Sequence, residues 1–132
     1  MTTIYLTGDR SVEPLSAVNV TAAVLQLIVE REGPNVKIIT GDAITGIERA
    51  VRYLLPLGAV LTVAERKPKS ATNEKPDFDE FHTRIKPLVD AVYIVHGDPL
   101  VSSIAKSAMR VFPGDIIRFP LTESSITPDQ NG

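Results

Sequence analysis

VKIITGDAITGIERAVRYLL, residues 36–55, holds a strand-like run, a glycine turn and a helix-like run in direct succession. Residues 36–40 are rich in β-branched side chains, which favour strands, and Gly41 closes the run. From about residue 43 the apolar side chains recur at helical spacing and form one stripe: Ile44, Ile47, Val51, Leu54 and Leu55. The stretch therefore predicts a strand that is followed at once by a helix.

The same alternation continues toward both ends of the chain. Further strands are predicted at residues 3–7, 59–64, 91–95 and 116–119. Further helices are predicted from Pro14 or Ser16 to residue 31, from an Asp77 cap to Pro87, and from Asp98-Pro99 to about residue 110, while the polar residues 65–76 form a loop. Five strands and four helices predict an α/β protein. Its architecture is a Rossmann-like three-layer α/β/α sandwich around a mostly parallel sheet, in the order 3-2-1-4-5.

Composition limits the function classes. The 132 residues predict one domain over residues 1–120 and a flexible tail over residues 121–132. The chain has no cysteine, which excludes disulfides and thiolate metal sites, and a net charge of -2 gives no general attraction to nucleic acid or anionic lipid. No apolar run reaches the roughly 20 residues of a membrane helix, and the strand-like start leaves no room for a signal peptide. A cytoplasmic location is expected.

The exit of the first strand is the first candidate ligand site. Parallel α/β sheets bind ligands beyond the carboxyl ends of their strands, at the crevice where the strand order reverses. Here the candidates are Gly8, Asp9, Arg10 and Ser11. Glycine permits close backbone approach, and the Arg10 guanidinium can hold a phosphate or carboxylate with two parallel hydrogen bonds. The alternative is a surface loop in which Arg10 pairs with Asp9 or Glu13.

The turn after the second strand is the next candidate, formed by Gly41, Asp42, Ala43 and Gly46. Its backbone N–H groups at a helix start can bind an anion. The spacing is neither G-x-G-x-x-G nor a P-loop, so the turn could equally be an ordinary strand-to-helix connection in which Asp42 caps the helix.

The exit of the fourth strand offers His96, Gly97, Ser102 and Ser103. The two serines can hold a phosphate oxygen, or Ser102 or Asp98 can simply cap the helix. His96 is either an acid–base group or a structural side chain, and His82 is a weaker candidate. Two isolated histidines without a carboxylate cluster indicate no metal site, and no other cofactor is predicted.

These motifs resemble the SLOG superfamily of Rossmann-like proteins, which includes DprA and the LOG phosphoribohydrolases, and in particular its small branch related to YspA and YpsA. A glycine-x-arginine element matches Gly8-Asp9-Arg10, and a glycine-rich turn with its helix matches residues 40–50. The strand before the last site loop corresponds to residues 90–95, and the following helix start to residues 101–108. The resemblance covers roughly residues 3–119.

The resemblance implies a nucleotide or nucleotide-derived ligand, with Arg10 and the two glycine turns around its phosphate and sugar. It also implies a homo-oligomer, since dimers are common in the family. LOG hydrolases use a catalytic glutamate in a PGGxGTxxE element, whereas this chain has serines there and Lys106 near the position of the glutamate. The catalytic role of that glutamate therefore cannot be transferred to this position of the chain.

Three functions remain open. The leading hypothesis is binding or sensing of a nucleotide-like ligand. The second is an N-glycosidic-bond hydrolase or transferase, whose carboxylate nucleophile would be Asp42, Glu48 or Asp98. The third is DprA-like binding of single-stranded nucleic acid, for which the candidate residues are Arg10, Arg66, Lys67 and Lys69. The negative net charge and the small number of aromatic residues disfavour this hypothesis.

Overall fold

The computed structural model describes residues 2–8, 14–33, 35–41, 46–54, 61–63, 77–97, 102–112 and 116–121. The strands are β1 (Thr2–Gly8), β2 (Val36–Thr40), β3 (Leu61–Val63), β4 (Ala91–Gly97) and β5 (Ile116–Leu121). The helices are α1 (Pro14–Glu32), α2 (Gly46–Leu54), α3 (Phe78–Ile85) and α4 (Ser103–Val111), and one 3-10 turn covers Lys86–Leu88.

The described strands form one sheet in which every neighbouring pair is parallel. Their spatial order is β3-β2-β1-β4-β5, so β1 lies in the middle and pairs with β2 on one side and β4 on the other. Asp90 fixes the start of the β1–β4 pair, because its side chain accepts a hydrogen bond from the Thr3 N–H at 2.7 Å and its own N–H donates to the Thr3 carbonyl at 2.8 Å. The predicted α/β class and parallel sheet are confirmed.

The core lies on both faces of this sheet. Successive side chains of a strand point to opposite faces, and β1 shows this clearly: Ile4 and Leu6 join one buried cluster and Tyr5 joins the other. The first cluster takes its helical members from α1 and α2, for example Ile28 and Ile47, and the second takes them from α3 and α4. Helices therefore cover the sheet from two sides, as its continuous apolar strands require.

The helix ends mostly follow the local sequence signals. The Asp77 side chain accepts a hydrogen bond from the Glu80 N–H at 3.0 Å and caps α3, as predicted. Pro87 has no N–H to continue an α-helix, and α3 accordingly ends at Ile85 and gives way to the 3-10 turn. Gly33 ends α1 with a φ of 92°, and its N–H donates to the Val29 carbonyl.

The start of α4 differs from the prediction. The prediction placed it at Asp98-Pro99, but Ser102 has an extended backbone with ψ of 136°, and the helix begins at Ser103. Ser102 is instead the N-cap, since its Oγ accepts a hydrogen bond from the Ile104 N–H at 3.2 Å. Asp98-Pro99 and Ser102 are both signals for the start of a helix, and α4 uses the later one.

At the edge of the sheet, β5 continues to Leu121, which the sequence analysis assigned to the flexible tail.

Gly8 marks a close approach of α2 to the sheet. A Cβ atom at this position would lie 2.2 Å from Cγ1 and 2.6 Å from Cβ of Ile47 on α2, and 3.0 Å from the carbonyl oxygen of Val95 on β4. Ile47 is fully buried and belongs to the core cluster under α1 and α2. The glycine is therefore required for packing, independently of any ligand.

We expect Gly8→Ala to destabilise the protein by about 1–3 kcal/mol, because the added methyl group forces α2 away from the sheet. Urea unfolding followed by circular dichroism measures this. Thr3→Ala in the same strand is the control, since it keeps the main-chain hydrogen bonds with Asp90 and should cost less. Equal unfolding midpoints for Gly8→Ala and the wild type would show that the helix contact is not needed.

Candidate functional site

The carboxyl edge of the sheet collects most of the predicted site residues that the structure describes. Gly8 ends β1 and Gly41 directly follows β2. Gly8 is in register with Val95 of β4, so His96 and Gly97 extend one and two residues beyond it. Ser102, the N-cap of α4, lies at the same edge. Parallel strands end at a common edge, and the structure brings these residues there.

Several predicted residues lie outside the described part of the chain. Asp9, Arg10 and Ser11 follow β1, Asp42 and Ala43 follow Gly41, and Asp98 follows β4. The basic loop residues of the nucleic-acid hypothesis, Arg66, Lys67 and Lys69, also lie outside it. The convergence of the three strand exits on one pocket therefore stays a prediction.

A buried hydrogen bond joins the end of β1 to the first turn of α2. The Thr7 hydroxyl donates to Oε2 of Glu48 at 2.9 Å, and both residues have 0% exposure. A carboxyl group in the first turn of a helix also faces its positive end, which favours it there. Glu48 was a candidate nucleophile, but in this structure its side chain is enclosed by protein. It positions α2 against β1.

A second threonine ties β2 to β1 at the same level. The Thr40 hydroxyl donates to the Leu6 carbonyl at 2.8 Å, and Thr40 is fully buried. Together, Thr7 and Thr40 connect β1, β2 and α2 just beneath the edge where ligands bind in such sheets. The sequence carries a signal that places Glu48 in the first turn of a helix, because Thr45-x-x-Glu48 has the spacing of a capping box.

The other residues at this edge differ in exposure. His96 is 6% exposed at the end of β4, and Gly41 is buried. Ser102 is 5% exposed and uses its oxygen as the helix cap, which was the alternative to phosphate binding. Ser103 is exposed and lines a cavity between α3 and α4. Lys106 lines the same cavity. In the resemblance, it falls near the position that the catalytic glutamate occupies in LOG hydrolases.

A chain of hydrogen bonds runs from the sheet to the surface between α3 and α4. The Tyr5 hydroxyl lies 2.9 Å from Nε2 of His82, and Nδ1 of His82 lies 2.8 Å from the Ser107 hydroxyl. That hydroxyl contacts Oδ1 of Asp79, which also accepts a hydrogen bond from Nη2 of Arg110 at 2.9 Å. Tyr5 and His82 are fully buried, whereas Asp79 and Arg110 are exposed.

Counting protons assigns the direction of this chain. A carboxylate only accepts, so the single hydroxyl proton of Ser107 is directed to Asp79. The Ser107 oxygen then accepts from Nδ1–H of His82, and in the neutral imidazole Nε2 accepts from the Tyr5 hydroxyl. The hydroxyl of Ser107 lowers the pKa of Asp79 most, and Arg110 lowers it further against the opposing effect of burial. Asp79 is therefore the ionised end of the chain.

Sequence reasoning missed this network. His82 was the weakest histidine candidate, and Asp79 and Ser107 were not singled out. The available signal is on α4, where Ser103, Lys106, Ser107 and Arg110 stand at helical spacing i, i+3, i+4 and i+7. A polar stripe of this kind usually faces solvent; here it faces α3.

No family model, curated protein or solved structure matches this chain. Within the described residues, no three histidine or carboxylate side chains come together as a metal site would require. None of the described helices combines the length and apolar character needed to cross a bilayer.

We expect Thr7→Val to destabilise the protein by about 1–3 kcal/mol, because it leaves the buried Glu48 carboxyl group without this donor. Thr7→Ser keeps the hydroxyl and should cost less. Thr40→Val loses a hydrogen bond to a main-chain carbonyl, which is typically worth about 0.5–1.5 kcal/mol. Urea unfolding of the three variants gives the comparison, and a larger loss for Thr40→Val than for Thr7→Val would contradict it.

Asp79 predicts a pH dependence of stability. Its pKa is lower in the folded protein than the ordinary value of about 3.9, so its stabilising contribution is complete above that value and is lost as the pH falls through the folded pKa. The urea midpoint of the wild type should therefore fall more steeply below about pH 4 than that of Asp79→Asn. Ser107→Ala removes the main cause and should reduce the slope as well; three equal slopes would refute the assignment.

Proposed function

We propose that the carboxyl edge of the sheet binds a nucleotide or nucleotide-derived small molecule, at the crevice between β1 and β4. The observation that supports the proposal most is the contact between the end of β1 and the start of α2. Gly8 lies against Ile47, and Thr7 donates to Glu48. The glycine-bearing segments at residues 8–11 and 41–46 therefore have neighbouring anchor points.

This arrangement suits an anionic ligand. Arg10 follows Gly8 by two residues and supplies a guanidinium that can hold a phosphate with two hydrogen bonds. Residues 41–46 lead into the N-terminus of α2, where unpaired main-chain N–H groups favour negative charge. The resemblance to the SLOG superfamily supports a nucleotide as the source of that phosphate, and it supports a dimer as the assembly.

Binding without turnover is the better-supported form of the proposal. Of the three carboxylates considered as nucleophiles, Glu48 is enclosed by protein and hydrogen-bonded to Thr7. A nucleophile must contact the sugar carbon that it attacks, which Glu48 does not permit in this arrangement. An enzyme of the N-glycosidic class would depend on Asp42 or Asp98.

Isothermal titration against adenine and guanine mono- and dinucleotides tests the proposal. We expect one nucleotide to bind saturably and Arg10→Ala to weaken it at least about tenfold, since a hydrogen bond to a charged group is worth about 1.5–3 kcal/mol. Arg31→Ala, at the end of α1 and the opposite edge of the sheet, is the control and should leave affinity unchanged. No binding across the panel by folded protein, or equal affinity for Arg10→Ala, would refute it.

A further inference from the structure

The cavity between α3 and α4 shares Ser103 with the predicted ligand residues, but its other lining residues belong to neither glycine-bearing segment of the proposed nucleotide site. It has a volume of about 200 Å³ and includes Ser107, which is 1% exposed, in its lining. Pockets for complete drug-sized ligands have about 300–1,000 Å³. The cavity therefore fits a molecule of a few heavy atoms.

The charges of this cavity are divided between its two walls. Asp77 and Asp79 belong to the α3 side, where Asp77 is the cap and Asp79 lies in the first turn. Lys106 and Arg110 belong to α4, one helical turn apart. A negative wall thus faces a positive wall across the opening.

One pair of opposite charges across the cavity forms a salt bridge. Arg110 donates to Asp79 at 2.9 Å and joins the walls. Asp77 and Lys106 form no ion pair with each other, nor does either with any other residue among 77–97 and 102–112. Asp77 uses Oδ1 to cap α3, and its charge is otherwise available. The cavity therefore presents one negative and one positive group that protein does not join.

We propose that this cavity binds a small zwitterion, a molecule that carries an ammonium group and a carboxylate or phosphate group a few bonds apart. The ammonium group pairs with Asp77, the acidic group pairs with Lys106, and the exposed Ser103 hydroxyl adds a donor beside Lys106. A simple anion would meet the carboxylates of Asp77 and Asp79, and a simple cation would meet Lys106 and Arg110. Like-charge contacts thus exclude ligands of a single sign.

The bound molecule is expected to affect the hydrogen-bond chain beneath it. Ser107 lines the cavity and lies 2.8 Å from Nδ1 of His82, so a change at the cavity alters the environment of a fully buried imidazole. The sequence contains only two histidines, His82 and His96, which makes the imidazole signals easy to assign. The ring nitrogens of His82 therefore report on occupancy from inside the protein.

The test is a titration of the complete ¹⁵N-labelled chain with the standard amino acids and with O-phosphoethanolamine. Acetate, ethylammonium and inorganic phosphate serve as ligands of a single sign. Asp77→Asn removes the charge but keeps a good helix cap, and Lys106→Gln removes the opposite charge. Lys86→Gln, an exposed site on the 3-10 turn, is the matched control.

We expect at least one zwitterion to give saturable shifts at α3, α4 and the His82 ring, with affinity at least about tenfold lower in Asp77→Asn and in Lys106→Gln and unchanged in Lys86→Gln. Inorganic phosphate or acetate binding as tightly as the zwitterion, unchanged affinity in either charge variant, or no saturable shift with any probe would overturn the proposal. Arg10→Ala should leave these shifts intact, so failure here is distinguishable from failure of nucleotide binding.

Discussion

The contact between Gly8 and Ile47 sets the geometry on which the rest of the structure depends. With no Cβ at the end of the central strand, α2 can lie close enough for Glu48 to accept the Thr7 hydroxyl. A packing requirement thus brings Gly8 next to the first turn of α2, and the binding proposal builds on that placement.

The two faces of the sheet are stabilised differently. Under α1 and α2 the core is largely apolar, with Thr21 also buried and its hydroxyl without a hydrogen bond among the described residues. Under α3 and α4, aromatic rings surround an imidazole; the ring centroid of Tyr5 lies 5.4 Å from that of His82. A buried polar group is costly unless it is hydrogen-bonded, and His82 meets that condition at both nitrogens. The second face consequently depends on precise alignment of α3 and α4 as well as on apolar burial.

Sequence reasoning recovers the features that local chemistry determines. The alternation of β-branched runs with helical stripes is enough for the α/β class, and Asp77 and Pro87 are enough for the two ends of α3. The predicted start of α4 was wrong because Asp98-Pro99 and Ser102 both signal a helix start and tertiary structure selects between them. The Tyr5–His82–Ser107 chain joins residues 77 and 25 positions apart, and no pattern within one element predicts such a contact. At the carboxyl edge the residue types were predictable, but the burial of Glu48 depends on how far α2 approaches β1.

The two hydrogen bonds between Asp90 and Thr3, at the start of the β1–β4 pair, have a consequence for synthesis of the chain. They join positions 87 residues apart, so β1 gains its second neighbour only after β4 has left the ribosome. Until then a nascent β3-β2-β1 sheet carries an open, apolar edge of the kind that recruits other chains. Synthesis of residues 64–97 separates the completion of β3 from that of β4, and the β1 edge has no partner from β4 during that interval.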